Sequence, residues 1–130
     1  MDLFNYTSDR ASIPVDVIIK HPVTGADTDN IISIIGVDSP AAQKCMDEQQ
    51  ARRFNEMAEN GEGMKFDPAT NRDDLIKLLV ACTVGWKNIM WKGDVLEFNA
   101  TNVAMIYNAV PTIRDQVNRA TGSRKLFFKD

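Results

Sequence analysis

The fold of this chain is decided by residues 75–117, LIKLLVACTVGWKNIMWKGDVLEFNATNVAMIYNAVPTIRDQV. The segment opens with residues 75–84, which are apolar almost without interruption. A helix that is apolar on every face is enclosed by its neighbours. We therefore predict a central helix from residue 71 or 72 to residue 86. Asp73 and Asp74 would lie in its first turn, where carboxylates favour the positive end of the helix dipole.

The rest of this segment predicts a loop and two short helices. Residues 85–98 combine two tryptophans with a Gly-Asp turn, and we expect a loop there. Asn99 can cap a helix over residues 100–109, because its side chain accepts a hydrogen bond from a free backbone N–H. Pro111 lacks a backbone N–H and separates that helix from a last one over residues 111–120.

Two β-rich runs lie upstream of this segment. Residues 15–20 and 31–37 are dominated by Val and Ile, which favour strands. Residues 21–30, HPVTGADTDN, are rich in turn formers, so we predict an antiparallel hairpin. Two strands alone are only marginally stable, and the hairpin must pack on the helices or pair with the edge of another subunit.

A charged helix is predicted after the hairpin. Asp38 or Ser39 can cap it, and Pro40 sits at the first position, where a missing N–H costs nothing. Asn60-Gly61-Glu62-Gly63 ends it, and residues 60–70 are expected to form a flexible connector. The stripe predicted to pack inward consists of Ala42, Cys45, Met46, Gln49, Phe54 and Met57. The side chains predicted to face outward are Lys44, Asp47, Glu48, Arg52, Arg53 and Glu56.

These elements predict an α+β fold, a mainly helical single domain over residues 1–130 with an N-terminal antiparallel β-hairpin packed on three to four helices. Residues 1–13 are expected to form an irregular arm, and residues 121–130 a basic, aromatic tail. A chain of 130 residues buries enough surface to fold without a disulfide, so Cys45 and Cys82 are expected to be reduced and buried. No apolar run approaches the roughly 20 residues that span a bilayer, and the N-terminus does not resemble a signal peptide. We therefore expect a cytosolic protein without membrane contact.

No set of residues suggests catalysis, a cofactor site or a metal site. His21 is the only histidine, and a Cys–His pair would need it to approach one of two cysteines predicted to be buried. One histidine and two distant cysteines cannot supply four zinc ligands. Residues 27–30 lack the glycine and glutamate of a calcium loop, and no phosphate-binding glycine motif is present. We therefore expect a protein that is not an enzyme and uses no cofactor.

The residues predicted to bind a partner are apolar side chains in three places. Methionines on a helix face repack easily, and an aromatic loop beside glycines makes a good interface anchor. Two phenylalanines at a chain end are expected to dock on this domain or on another chain. The candidates are Met46, Phe54, Met57, Trp86, Trp91, Phe127 and Phe128. The alternative for the helix face is a peripheral core helix, and for the loop tryptophans it is closure of a small core.

The order of these elements resembles that of the tail assembly chaperones of long-tailed, non-contractile (lambda-like) bacteriophages. The similarity covers most of residues 15–120 and lies in the order and spacing of the motifs. The motifs are, in order, HPVTG, Asp38-Ser39 before a charged helix, CTVGWKNI at the end of the central helix, Lys92-Gly93, Leu96-Glu97-Phe98-Asn99 and PTIRDQV.

The resemblance implies a non-enzymatic role in virion morphogenesis, in the host cytoplasm. Such chaperones bind the tape measure protein, keep its long hydrophobic helices soluble and help to recruit the tail tube protein. They self-associate as homo-oligomers, and many are also made as a longer product by translational frameshift. This chain resembles the short form, so we expect tube-protein binding to require the longer, frameshifted form.

Two other functions remain open from the sequence. A small DNA-binding regulatory protein would use the basic side chains near the aromatic C-terminus, which are Arg114, Arg119, Arg124 and Lys125. The net charge of −3 disfavours nucleic-acid binding, because nucleic-acid binders usually carry a basic surface. A structural tail component would differ from a chaperone only by remaining in the mature virion.

Overall fold

The computed structural model describes residues 1–60 and 67–128. Short 3-10 helices at Leu3–Tyr6 and Arg10–Ser12 precede the first strand. The remaining elements are, in order, β1 (Val15–Lys20), β2 (Asp27–Ile34), α1 (Pro40–Asn60), α2 (Pro68–Cys82), β3 (Thr83–Lys87), β4 (Met90–Trp91), β5 (Asp94–Val95), α3 (Ala100–Ala109), α4 (Pro111–Thr121) and α5 (Arg124–Phe127). This mainly helical α+β architecture with an N-terminal antiparallel hairpin confirms the predicted fold class.

The main sheet is antiparallel, with the strand order β1-β2-β3. Val17 of β1 pairs with Ile32 of β2, which pairs with Trp86 of β3 on its other side. The predicted hairpin is confirmed, and β1 has its predicted bounds. A hairpin alone is marginally stable, and β3 supplies the third strand that it needs.

The second strand occupies Asp27–Ile34, whereas the sequence predicts it over residues 31–37. The ladder is irregular between Ile18 and Lys20, and the Thr28 hydroxyl donates to the Ile19 carbonyl there at 2.6 Å. This side-chain hydrogen bond substitutes for a ladder bond. Polar residues with turn-forming side chains can therefore belong to the strand.

The segment after α2 is a strand, where the sequence predicts the last turn of a helix. α2 ends at Cys82, and the Thr83 hydroxyl donates to the Leu79 carbonyl at 2.6 Å. The Cys82 carbonyl accepts from the Ile35 N–H at 2.8 Å, which starts the pairing of β3 with β2. The prediction of a helix to residue 86 is wrong, because the open edge of β2 binds this segment. The pairing of β3 with β2 is a tertiary contact, and the spacing of apolar residues along this segment does not indicate it.

Residues 85–98, predicted as a loop, contain most of β3 and a two-stranded ribbon of β4 and β5. Lys92 and Gly93 connect the two short strands with φ angles of +51° and +88°. Two successive positive φ angles are typical of a type I′ turn, whose twist matches that of the flanking strands. The predicted turn at Gly93-Asp94 therefore lies one residue earlier in the chain.

Two predicted helix caps are confirmed. The Ser39 hydroxyl accepts from the Ala42 N–H at 3.3 Å at the start of α1. The Asn99 side chain accepts from the Asn102 N–H at 2.8 Å at the start of α3, which has its predicted bounds. α4 extends one residue beyond the prediction, to Thr121.

The start of α2 lies earlier than predicted, at Pro68. Asp67 caps this helix, and its carboxylate accepts from the Ala69 N–H at 3.0 Å. Asp73 and Asp74 consequently lie in the second turn and not in the first. The sequence predicts Asp67 to lie in a connector, whereas the structure makes it the cap of this helix.

The first half of α1 packs on α2 through apolar contacts. Ala42 and Met46 lie in a small cluster with Ile35 and Cys82. The described part of α1 runs to Asn60. The glycines and most of the connector predicted beyond it fall on residues 61–66, which lie outside the described residues.

The second half of α1 is held by charge, which corrects the predicted helix faces. Arg52 and Arg53, predicted to face outward, both donate hydrogen bonds to the buried Asp74 carboxylate. Phe54, predicted on the inward stripe, is 71% exposed. Helical spacing alone favours burying the phenylalanine. It cannot show that a buried acid on the next helix requires the two arginines.

The core lies between the inner face of the sheet and α2, α3 and α4. Its fully buried side chains come from all of these elements and are Ile32, Ile34, Leu79, Val103, Ile106, Tyr107 and Val117, among others. In the described part of the chain, none of the helices combines the length and apolar character needed to cross a membrane.

Candidate interaction surface

The β4–β5 ribbon carries a group of apolar side chains that the fold leaves uncovered. Met90 and Val95 are cross-strand partners and are 52% and 75% exposed. Phe98, just beyond β5, is 39% exposed. We call these three residues the ribbon surface. Isolated exposed apolar residues are common, whereas exposed apolar side chains that lie together are candidates for an interaction site.

The two tryptophans predicted to bind a partner lie beneath this surface. Trp86 and Trp91 are partly buried and pack against the main core. The Trp86 Nε1 donates to the Leu96 carbonyl at 3.1 Å. Its ring also meets the Phe98 ring edge-to-face, with 5.4 Å between ring centroids. The tryptophans therefore fix the ribbon on the core, and their predicted role in partner binding stays a prediction.

The predicted candidates on α1 lie in different environments. Met46 packs against Ile35 and Cys82, in agreement with the interpretation as a peripheral core helix. Phe54 is exposed, and Met57 is half-buried. The helix therefore presents no continuous methionine face within its described residues. A partner-binding role for these three residues is not tested by their positions.

The C-terminal phenylalanines dock on the domain, as one of the two sequence-based alternatives expected. The Phe127 ring lies over Gly36, where an added Cβ would come within 3.1 Å of the ring. The Phe128 and Tyr6 rings meet edge-on, with 5.9 Å between their centroids. The seven predicted residues thus belong to three separate parts of the fold, on α1, around the ribbon and at the C-terminus.

Two carboxylates are held by arginines. Asp74 is 3% exposed, and hydrogen bonds from Arg52 and then Arg53 lower its pKa against the opposing effect of burial. Asp38 accepts two hydrogen bonds from Arg124, at 2.8 and 3.0 Å, and this contact lowers its pKa. Both acids therefore remain ionised at neutral pH and tie helices together.

The residues considered for catalysis, His21 and the two cysteines, have structural environments. The His21 Nδ1 accepts from the backbone N–H groups of Val23 and Thr24, at 3.1 and 3.2 Å, and so organises the turn of the first hairpin. Burial raises the pKa of Cys82 to about 11, and it also raises the pKa of Cys45. Both cysteines are free thiols. Within residues 1–60 and 67–128, no group of three or more acid, histidine or cysteine side chains could hold a metal ion.

The basic groups near the C-terminus are partly occupied as well. Arg114 donates to the Tyr107 carbonyl at 3.1 Å, and Arg124 is paired with Asp38. Two of the four positive charges that a nucleic-acid site would use are therefore committed within the fold. This observation weighs against the DNA-binding alternative.

The ribbon surface itself was not predicted as a site. The sequence contains a usable signal: Met90 and Val95 flank Lys92-Gly93 symmetrically, so a two-residue turn places them on one face. Placing the turn at Gly93-Asp94 conceals this pairing.

Comparisons of the chain with protein-family models, with curated proteins and with solved structures find no match.

Proposed function

We propose that this protein is a tail assembly chaperone of a long-tailed, non-contractile bacteriophage. It is not an enzyme. It acts in the host cytoplasm by binding apolar faces of the tape measure protein and keeping that protein soluble until the tail assembles. The order of sequence motifs over residues 15–120 suggests the role, and the ribbon surface is the observation that carries it.

The ribbon surface fits this task in size and in chemistry. Fully burying an exposed Met or Val side chain contributes roughly 1.5–3 kcal/mol, before the costs of association. Met90 and Val95 are 52% and 75% exposed, so burying what remains of each contributes less than this. Two or three such side chains give weak binding at each contact. A chaperone that must later release its client benefits from many weak contacts, because their combined strength depends on valency. Self-association of the chaperone supplies that valency.

Co-expression with a tape measure protein tests the proposal. We expect the wild-type chain to raise the soluble fraction of the tape measure protein and to co-purify with it. The double substitution Met90→Ser with Val95→Ser removes apolar surface from the ribbon without touching the core, and it should reduce both effects. The matched control is Val23→Ser, because Val23 is 86% exposed in a different turn.

The outcomes separate the role from the site. Unchanged solubility and no co-purification with the wild-type chain would reject the chaperone role. A client that remains soluble with the ribbon variant would retain the role and reject the ribbon as its site. In that case the exposed Phe54, tested as Phe54→Ser, becomes the next surface to examine.

A further inference from the structure

On the outer edge of β1, some backbone N–H and C=O groups are unpaired, and we call these open. Others are already hydrogen-bonded or missing, and we call those positions closed. Lys20 fixes the pattern, because its N–H donates to the Gln116 Oε1 at 2.8 Å and its carbonyl accepts from the Gln116 Nε2 at 3.1 Å. The backbone of Lys20 therefore points away from β2. Alternate residues of a strand point the same way. The Ile19 carbonyl faces β2, where it accepts from the Thr28 hydroxyl, so the alternation holds at the irregular step between Ile18 and Lys20. The backbone groups of Asp16 and Ile18 therefore also point outward.

The open stretch of this edge is short and closed at both ends. The outward N–H and C=O groups of Asp16 and Ile18 make no hydrogen bond with any other described residue. At the next alternate position toward the N-terminus, Pro14 has no N–H to offer. At the other end, the amide of Gln116 already occupies both groups of Lys20. Unpaired edge groups of this kind are a template for another strand.

We propose that two copies of this chain pair through β1, antiparallel, around a two-fold axis at Val17. In this register Asp16 of each copy lies opposite Ile18 of the other, and the two pairs exchange four hydrogen bonds. At each end of the paired stretch, Pro14 of one copy lies opposite Lys20 of the second copy, where the Gln116 amide already covers the Lys20 backbone. The two strands therefore pair over Asp16 to Ile18 and separate beyond these residues. The result is one continuous six-stranded sheet.

Other antiparallel registers fit less well. A shift by one pair in one direction places Asp16 opposite Asp16 of the second copy, and like charges directly opposite are destabilising. The shift in the other direction places the open groups of Asp16 against those of Lys20, which Gln116 already occupies. The register centred at Val17 leaves no open group against a closed one.

The side chains of β1 agree with this register. Asp16, Ile18 and Lys20 alternate onto the outer face of the sheet and are exposed. Lys20 of one copy would be diagonal to Asp16 of the other, within reach of a long side chain. The opposite edge of the sheet is less suitable, because Val84 is an extra residue that interrupts the pairing of β3 with β2. Such a bulge hinders regular pairing.

This interface deepens the self-association on which the proposed function rests, and its test needs no client protein. Sedimentation velocity of the wild-type chain over a range of concentrations should show a weak, reversible dimer. Ile18→Pro removes one outward N–H from each copy while leaving the ladder with β2, and it should lower the association constant by at least about tenfold. Ile18→Thr retains the N–H and the β-branched shape and is the matched control.

A gain of association gives an independent readout. Gln116→Ala frees the N–H of Lys20, which in this register faces the carbonyl of Pro14 in the second copy. Two further hydrogen bonds should then raise the association constant by about tenfold or more. A simple structural role for Gln116 would lower stability and leave association unchanged.

Cross-linking tests the register directly. Val17→Cys should form a disulfide dimer under mild oxidation, because residues at the two-fold axis form a close, non-hydrogen-bonded pair. Val15→Cys lies two residues from the axis and should not, with the unsubstituted chain as the control for Cys45 and Cys82. A wild-type chain that stays monomeric, or equal cross-linking at both positions, would overturn the interface. If the chain stays monomeric but still solubilises the tape measure protein, the interface is rejected and the proposed function is retained.

Discussion

The second half of α1 is attached to α2 around Asp74, whose buried carboxylate accepts from Arg52 and Arg53 and whose backbone carbonyl accepts from Gln49. Asp74→Asn tests how much the carboxylate contributes. The Asp74 side chain is 4% exposed, while those of Arg52 and Arg53 are 35% and 37% exposed. The carboxylate accepts three hydrogen bonds from these arginines, at 2.7 to 2.9 Å. Asparagine has nearly the same volume, removes the charge and replaces one of the two acceptor oxygens with an NH2 donor.

The expected loss lies between two limits. Breaking a fully buried ion pair costs about 3–5 kcal/mol, because a charge is left without a partner in the interior. Exposed pairs contribute about 0–1 kcal/mol. Here the remaining charges are the two arginines, which can turn toward water, so we expect Asp74→Asn to lower the free energy of unfolding by about 2–3 kcal/mol.

Urea denaturation at several pH values gives the measurement. The arginines lower the pKa of Asp74 in the folded state, so its stabilising effect is fully present above the unfolded pKa of about 3.9. The effect is lost as the pH falls through the lower, folded pKa. The stability gap between wild type and Asp74→Asn should therefore be constant from about pH 5 to 7 and narrow below about pH 4.

Asp73→Asn is the control, because Asp73 is adjacent and exposed. It should change stability by less than about 0.5 kcal/mol. An Asp74→Asn variant as stable as wild type at pH 7, or a gap that widens in acid, would refute the reasoning. Either result would mean that α1 is held mainly by its apolar contacts.

The remaining predictions concern stability and are measured by thermal or urea unfolding. Lys92→Asn should stabilise the chain by about 0.5–1 kcal/mol, because lysine is strained at a positive φ that asparagine tolerates; no gain would mean that the turn is not type I′ in solution. Tyr107→Phe should cost about 1 kcal/mol, because the buried Tyr107 hydroxyl and the Thr83 hydroxyl lie 2.7 Å apart in a hydrogen bond. Burial raises the pKa of Tyr107 to about 12, so its effect is fully present below pH 10 and should fade as the pH rises toward 12, and ultraviolet titration of wild type and variant checks this. Gly36→Ala should cost about 1–2 kcal/mol by displacing the Phe127 ring, and an unchanged unfolding midpoint would show that the tail is not docked.

Local signals were sufficient for much of this fold. β1 and α3 have their predicted bounds, because alternation of Val and Ile and a capping Asn99 are contained within a few residues of chain. The class, a mainly helical α+β domain with an N-terminal hairpin, follows from the order of such signals. The cap at Ser39 was predictable for the same reason.

The two largest errors involve partners distant in sequence. The sequence predicts the end of an apolar helix at Thr83–Lys87. The segment is a strand because it pairs with the free edge of β2. Arg52 and Arg53 read as an outward face, and only the buried Asp74 turns them inward. The positions of this strand and of the two arginine side chains depend on tertiary contacts, which hydrophobic periodicity does not encode.

The candidate site was predictable in region but not in detail. The sequence points to the tryptophan-bearing segment, and the exposed side chains there are Met90, Val95 and Phe98, not the two tryptophans. The reason is the two-residue turn at Lys92-Gly93, which sets the faces of the ribbon. A one-residue error in the position of a turn reverses which side chains are predicted to face outward.

The most direct test of the ribbon surface is tryptophan fluorescence during titration with an amphipathic helical peptide from a tape measure protein. Trp86 and Trp91 are the only tryptophans in the chain, and both lie at the ribbon. We predict a saturable blue shift with the wild-type chain, since the peptide covers the Phe98 and Trp86 rings, and a much weaker one with the Met90→Ser/Val95→Ser chain. No shift at saturating peptide, or equal binding by both chains, would contradict the proposed role of this surface.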